Sequence, residues 1–175
     1  WTAGWSKILS NESYYYNREF WINVDSLWNV YVAGNFSWTM VLWATTLQKT
    51  WYYFNAFVAK LDKNGNWLWA AQSMWDWDEG HEIAVDNSWN AYVIWRSDYY
   101  SNWSKFWSTT LPSFSKSFIA KVDSAWNWDW VIPTNVYLNW IEYNSWKIYV
   151  IWSAVGGPEG VKFWMTGAAL PLETA

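Results

Sequence analysis

The segment Ile22-Asn23-Val24-Asp25-Ser26-Leu27-Trp28-Asn29-Val30-Tyr31-Val32 returns 61 residues later as Ile83-Ala84-Val85-Asp86-Asn87-Ser88-Trp89-Asn90-Ala91-Tyr92-Val93. A chain that repeats at this spacing builds one supersecondary unit several times, and its fold is whatever that unit makes when stacked on copies of itself. A looser third copy runs Ile141-Glu142-Tyr143-Asn144-Ser145-Trp146-Lys147-Ile148-Tyr149-Val150, a further 57 residues on when the Trp are aligned. The second half of the unit repeats as well. Phe57-Val58-Ala59-Lys60-Leu61-Asp62-Lys63-Asn64-Gly65-Asn66-Trp67-Leu68-Trp69 becomes Phe118-Ile119-Ala120-Lys121-Val122-Asp123-Ser124-Ala125-Trp126-Asn127-Trp128-Asp129-Trp130, again at 61. Between the halves, Trp43-Ala44-Thr45-Thr46-Leu47 is echoed by Trp107-Ser108-Thr109-Thr110-Leu111 at 64, so the loops have absorbed a few residues.

Each half-unit reads as a hairpin: a short β-branched and aromatic run, a polar knot of Asp, Ser and Asn, then a second short run. Phe57, Ala59 and Leu61 alternate with Val58 and Lys60, which is the period of a strand, and no capped helical pattern competes with it. The spacing predicts strands near 20–25, 30–34, 56–62, 67–70, 83–86, 91–95, 118–123, 128–131, 140–143 and 147–151. Two hairpins per unit give four antiparallel strands, the content of one propeller blade. The expected fold is therefore all-β, a β-propeller fragment of about three four-stranded antiparallel blades with a period of about 61 residues. The units divide as 1–19, the end of a preceding blade; 20–80 and 81–139, two whole blades; and 140–175, a partial one. Further blades from the same longer chain are expected to complete the ring.

Overlaying the copies sets glycine against tryptophan. Gly34 falls on Trp95 and Trp152, and Gly65 falls on Trp126. The knot Asp-x-x-(Trp or Gly)-Asn occurs at Asp25–Asn29, Asp62–Asn66, Asp86–Asn90 and Asp123–Asn127, and only Gly65 supplies the residue a tight turn favours. Trp28, Trp89, Trp126 and Trp146 are thus placed at left-handed turn positions, where a bulky side chain is an outlier. The chain holds 22 Trp and only 8 Gly. Two readings account for this. The Trp are genuine, or all but Trp1, Trp67, Trp69, Trp128 and Trp130 are glycines encoded by UGA and read with a table that assigns that codon to Trp. The second restores the composition of an ordinary Gly-rich β-repeat protein.

With glycine at those positions, Ile-x-Val-Asp-x-x-Gly-Asn-x-Tyr-Val-x-Gly followed by Phe-(Val/Ile)-Ala-Lys-(Leu/Val)-Asp-x-x-Gly-Asn-Trp-x-Trp resembles the SBBP family of bacterial β-propeller repeats. The resemblance is good over about residues 20–131 and poor over 140–170. It implies a bladed β-propeller in an exported or cell-surface bacterial protein, with no established catalytic activity and no family-wide active-site residues.

Functional chemistry is sparse in the remaining residues. Zero Cys removes thiolate catalysis and disulfides, and the longest apolar runs, such as Ala91–Trp95 and Ile148–Trp152, fall far short of the ~20 residues that span a bilayer, so membrane insertion is not expected. A net charge of −4 without a basic cluster argues against nucleic acid. Asp76, Asp78 and Glu79 bring three hard oxygen donors close together and form a candidate Ca²⁺ loop, although EF-hand spacing is absent and a solvated loop between blades is the plainer reading. No other cofactor is expected. The single His, His81, could pair with Glu79 or Glu82 as acid and base, but it is not repeated and has no nucleophile in register. Asp25, Asp62, Asp86 and Asp123, with Gly65, read as structural turn residues that accept backbone N–H bonds. Lys60 and Lys121 recur in one strand slot, each expected to cover apolar surface with its stem and wet its ammonium. Trp67 and Trp69, like Trp128 and Trp130, are spaced two apart and are expected to share a face in the core. The function expected is a non-catalytic scaffold for adhesion or protein binding. The alternative is a surface that binds glycans through exposed aromatic rings. No enzyme is expected, since no pair of carboxylates can be placed across a cleft.

Overall fold

The computed structural model describes residues 4–7, 20–42, 44–49, 54–73, 78–97, 105–106, 109–110, 112 and 115–153. The chain is all-β, with no helix among the described residues. Ten main strands fall where the period-two runs lie: β1 (Phe20–Val24), β2 (Val30–Phe36), β5 (Asn55–Leu61), β6 (Trp67–Gln72), β7 (Asp78–Val85), β8 (Ala91–Ser97), β11 (Ser117–Val122), β12 (Trp128–Thr134), β13 (Tyr137–Asn144) and β14 (Lys147–Ser153). They form two four-stranded antiparallel sheets, β1-β2-β5-β6 and β7-β8-β11-β12, and a two-stranded sheet, β13-β14. These are propeller-like blades that do not close into a ring.

Four short strands were not anticipated: β3 (Met40–Leu42), β4 (Thr45–Leu47), β9 (Lys105–Phe106) and β10 (Thr109–Thr110). They make one hairpin twice, since Leu42 faces Thr45 as Phe106 faces Thr109. The echo of Thr-Thr-Leu at an offset of 64 was the sequence signal for them. The unit boundaries expected after residues 80 and 139 fall inside β7 and β13; the sheets themselves divide between β6 and β7 and between β12 and β13.

The sheets stack in one sense. Tyr31 and Ala33 of the first sheet share a core with Ile83, Val93 and Trp95 of the second. Tyr92 and Ile94 of the second share another with Ile141, Val150 and Trp152 of the third. Each sheet thus lays the face that carries its Val93-type residue on the Tyr face of the sheet before it, as strand alternation requires when the same sequence is used again. The outer face of the first sheet, with Val32, Phe57, Ala59 and Leu61, is covered over β5 and β6 by Met40, Leu42 and Leu47 of the β3–β4 hairpin. Where the first two sheets meet, backbones touch: a Cβ at Gly80 of β7 would lie 2.8 Å from both N and O of Gly34 in β2. No side chain fits there.

The expectation that each pair of Trp shares a face is corrected. Trp67 packs in the core under the β3–β4 hairpin while Trp69 packs between the sheets, and Trp128 and Trp130 divide in the same way. A bulge causes this: Lys60 pairs Trp69 but Leu61 pairs Trp67, so Leu68 is an extra residue and parity flips; Asp129 is its counterpart. The Trp aligned with Gly34 in the second copy is Trp95. Trp95 is fully buried, with its ring 5.6 Å from Phe118 and 5.5 Å from Trp128, in a cluster lined by the small Ala33, Ala56 and Ala120.

Candidate functional site

Chain direction in the antiparallel sheets places the β1–β2 and β5–β6 turns at one end of the first sheet, and the β7–β8, β11–β12 and β13–β14 turns at the matching end of the next two. Four of these turns are each held by a leading Asp, and the β13–β14 turn has none. Asp25 Oδ1 accepts the N–H of Leu27 and of Asn29, both at 2.9 Å, and Asn29 Nδ2 donates to Oδ2 at 2.8 Å. Asp62, Asp86 and Asp123 repeat the pattern with Asn64 and Asn66, Ser88 and Asn90, and Ala125 and Asn127. Bonds from Asn66 hold the Asp62 carboxyl below its ordinary range, and those from Asn127 do the same for Asp123. These carboxylates serve their own turns.

The residue before the closing Asn or Lys is left-handed in every copy: φ is 67° at Trp28, 65° at Trp89, 75° at Trp126 and 70° at Trp146, where Ser145 is left-handed too at 50°, beside 82° at Gly65. The conformation that Gly65 adopts freely is forced on four indoles, each exposed by 42 to 79 %. One end of the stack therefore carries exposed aromatic side chains among polar turn residues, and Leu27 is exposed with them. Gly65 is itself capped by the Trp5 ring, whose Nε1 donates to the Lys63 carbonyl at 2.9 Å. Beside this turn a cleft of about 560 Å³ is lined by Lys7, Asn66, Trp67 and Leu68.

Beneath the rim lies a buried ionic cluster. Lys60 is buried against expectation: its Nζ donates to Tyr31 Oη at 2.6 Å, stands 3.4 Å from Asp25 Oδ2, and lies 4.6 Å from the Tyr31 ring centroid. Tyr31 Oη reaches across to the Trp89 carbonyl of the next sheet at 3.3 Å. The counterpart Lys121 turns outward to Asp129 at 2.7 Å. The bulge residue explains the difference, because the slot that offers Asp129 to Lys121 offers only Leu68 to Lys60. Burial pushes the Lys60 pKa down while Asp25 opposes it, and burial and Asp25 together push the Tyr31 hydroxyl up. Burial raises the Asp25 pKa, but the bonds from Asn29 and Leu27 and the charge of Lys60 outweigh it and hold the carboxyl low. Asp25→Ala and Asp123→Ala break the same turn, but only the first strips a buried ammonium of its counter-charge. Urea denaturation is expected to show Asp25→Ala less stable than Asp123→Ala by about 2 kcal/mol.

The first strands of the second and third sheets, β7 and β13, carry the second polar group. Bulges at equivalent places in β7 and β13 leave His81 and Asn139 outside the ladder. Each reaches back to the preceding sheet: His81 lies 5.0 Å from the Trp21 ring, and Asn139 Oδ1 accepts from Arg96 Nη2 at 2.9 Å. Burial and the Arg96 charge bring the His81 pKa from about 6.5 down to about 4. Burial, with the charge of Glu142, raises that of Glu82 against the Ile83 N–H bond. His81 is therefore neutral in the folded chain at pH 6, whereas the unfolded chain binds a proton there. Its contribution to stability is whole above pH 6.5 and is lost as pH falls toward 4. His81→Gln is expected to flatten the dependence of the urea midpoint on pH in that window. An unchanged slope would place the titration elsewhere.

Of the expected Ca²⁺ ligands, Asp76 lies outside the described residues, while Asp78 and Glu79 have their backbones in the β7 ladder opposite Ser97 and Arg96 rather than in a loop. Among the described residues no three His, Asp or Glu are grouped to hold a metal. Bulge residues and the inward turn of Lys60 were missed by sequence reasoning, because a bulge leaves no mark on a period-two pattern until its partner strand is known. Compared with models of known protein families and with curated proteins, the sequence matches none.

Proposed function

We propose that the chain is a non-catalytic β-propeller repeat scaffold of an exported or cell-surface bacterial protein, of the type the SBBP repeats resemble, and that it presents its turn rim to a protein partner. The observation that carries this is the division of labour between repeated residues. The repeated Asp and Asn close their own turns, and five large apolar side chains, Leu27, Trp28, Trp89, Trp126 and Trp146, are left to solvent at that end among exposed polar residues such as Ser26, Asn64, Ser88 and Ser124. A concentrated apolar patch with a polar surround is the mark of a contact surface. The test is adhesion of cells that display the chain to a surface coated with extracellular matrix proteins, compared with cells that display Leu27→Asp/Trp28→Asp. Adhesion that depends on those two positions supports the reading. Adhesion equal to that of undecorated cells, with the displayed chain folded, overturns it.

A specific observation favours a second reading. The 560 Å³ cleft beside the Gly65 turn joins Trp67 to Asn66 and Lys7 in its lining, a mixture suited to stacking a sugar ring and bonding its hydroxyls. Titration with cellohexaose, read by Trp fluorescence, separates the two: saturable quenching that is lost on Trp67→Ala supports the glycan site.

A further inference from the structure

Both terminal sheets show clean alternation of covered and open positions. In β1, Trp21 and Asn23 pack toward the second sheet while Phe20, Ile22 and Val24 face solvent, Ile22 by 66 % and Val24 by 44 %. In β14, Ile148, Val150 and Trp152 pack toward the second sheet while Tyr149 and Ile151 face solvent, by 47 % and 55 %, next to the open Trp140 of β13. A monomer that leaves two apolar sheet faces open invites association.

The repeat says what covers each. Ile22 and Val24 stand where Ile83 and Val85 stand in the next copy, and those pack on the Tyr face of the preceding sheet. Tyr149 and Ile151 stand where Tyr92 and Ile94 stand, and those receive the first strand of the following sheet. At both internal junctions the first strand of the later sheet, β7 or β13, lies against the first two strands of the earlier one. The open β1 is such a first strand, and β13 with β14 is such a first pair. The two uncovered faces are thus the two halves of a junction that the molecule already makes twice.

We infer that a second copy of this chain docks head to tail, its β1 face of Phe20, Ile22 and Val24 seated on the β13–β14 face of Trp140, Tyr149 and Ile151. This rests on the scaffold reading and extends the stack across chains. The interface is heterologous, so it closes a ring if the rotation permits; two copies bring together about six sheets, within the ~4 to 8 of closed propellers.

The experiment is sedimentation velocity over a concentration series on the full chain, on Ile22→Glu and on Ile151→Glu, with circular dichroism to show that the variants keep the sheet signal. Both substitutions are on open positions, so folding is retained. The wild-type mass is expected to rise from one chain to two or more with concentration, and each variant alone to stay at one. An equal mixture of the two variants restores the dimer, because each supplies the face the other lacks. The inference is overturned if the wild type stays at one chain throughout, or if either variant alone still dimerises, which would mean like faces pairing. A folded, adhesive monomer would leave the scaffold reading intact and remove only this step.

Discussion

Replacing Trp28, Trp89, Trp126 and Trp146 together by Gly is expected to stabilise the chain by about 2–3 kcal/mol. Each residue sits at φ between 65° and 75°, where an L side chain costs about 1–2 kcal/mol and glycine costs nothing sterically. Against that gain stands the greater freedom of glycine in the unfolded chain, about 0.4–1 kcal/mol per site. At Trp126 contacts are lost as well, since its ring is 4.9 Å from that of Trp69 and 5.5 Å from Lys60 Nζ. The other three rings give up exposed positions and little packing. For a chain of this size the melting midpoint rises by about 4–12 °C. A fall in the midpoint would show that the rim indoles hold the turns.

The same substitution at Trp95 has the opposite sign. Trp95→Gly removes a wholly enclosed ring from the junction between the first two sheets and leaves a cavity that Ala33, Ala56 and Ala120 are too small to fill, at a cost of about 3–5 kcal/mol. That is comparable with the net stability of many domains, ~5–15 kcal/mol, so the variant is expected to lose its cooperative melt or approach doing so. The pair of experiments also bears on the two readings of the Trp excess. If the gene product carries glycine at all the recoded positions, the turns gain, but this core must be filled by some other arrangement of the sheets.

The architecture was legible because the ladder repeats. The Ile-x-Val-Asp and Phe-x-Ala-Lys runs alternate with period two, and all ten expected strands lie on observed ones within a few residues. The left-handed turn was legible for the same reason, since one Gly65 among four Trp revealed the conformation they share. Parity beyond the turns was not. Leu68 and Asp129 each add a residue opposite the Lys strand, which separates the faces of Trp67 and Trp69 and decides whether the lysine is buried or wet. Space was not legible either: Gly34 is small because Gly80 touches it, whereas Trp95 has a chamber between two sheets, and aligned copies do not show which neighbour each one meets.

The central claim is that the sheets form one stack in which each covers the Tyr face of the one before. Native-state hydrogen exchange followed by mass spectrometry over a denaturant series tests it most directly. The central strands β2 and β5 of the first sheet and β8 and β11 of the second are expected to share the slowest amides and to open in a single step with one dependence on denaturant, because their common core is Tyr31, Ala33, Val58, Val93, Trp95 and Phe118. Separate openings of the two sheets, with unrelated free energies, would contradict the stack.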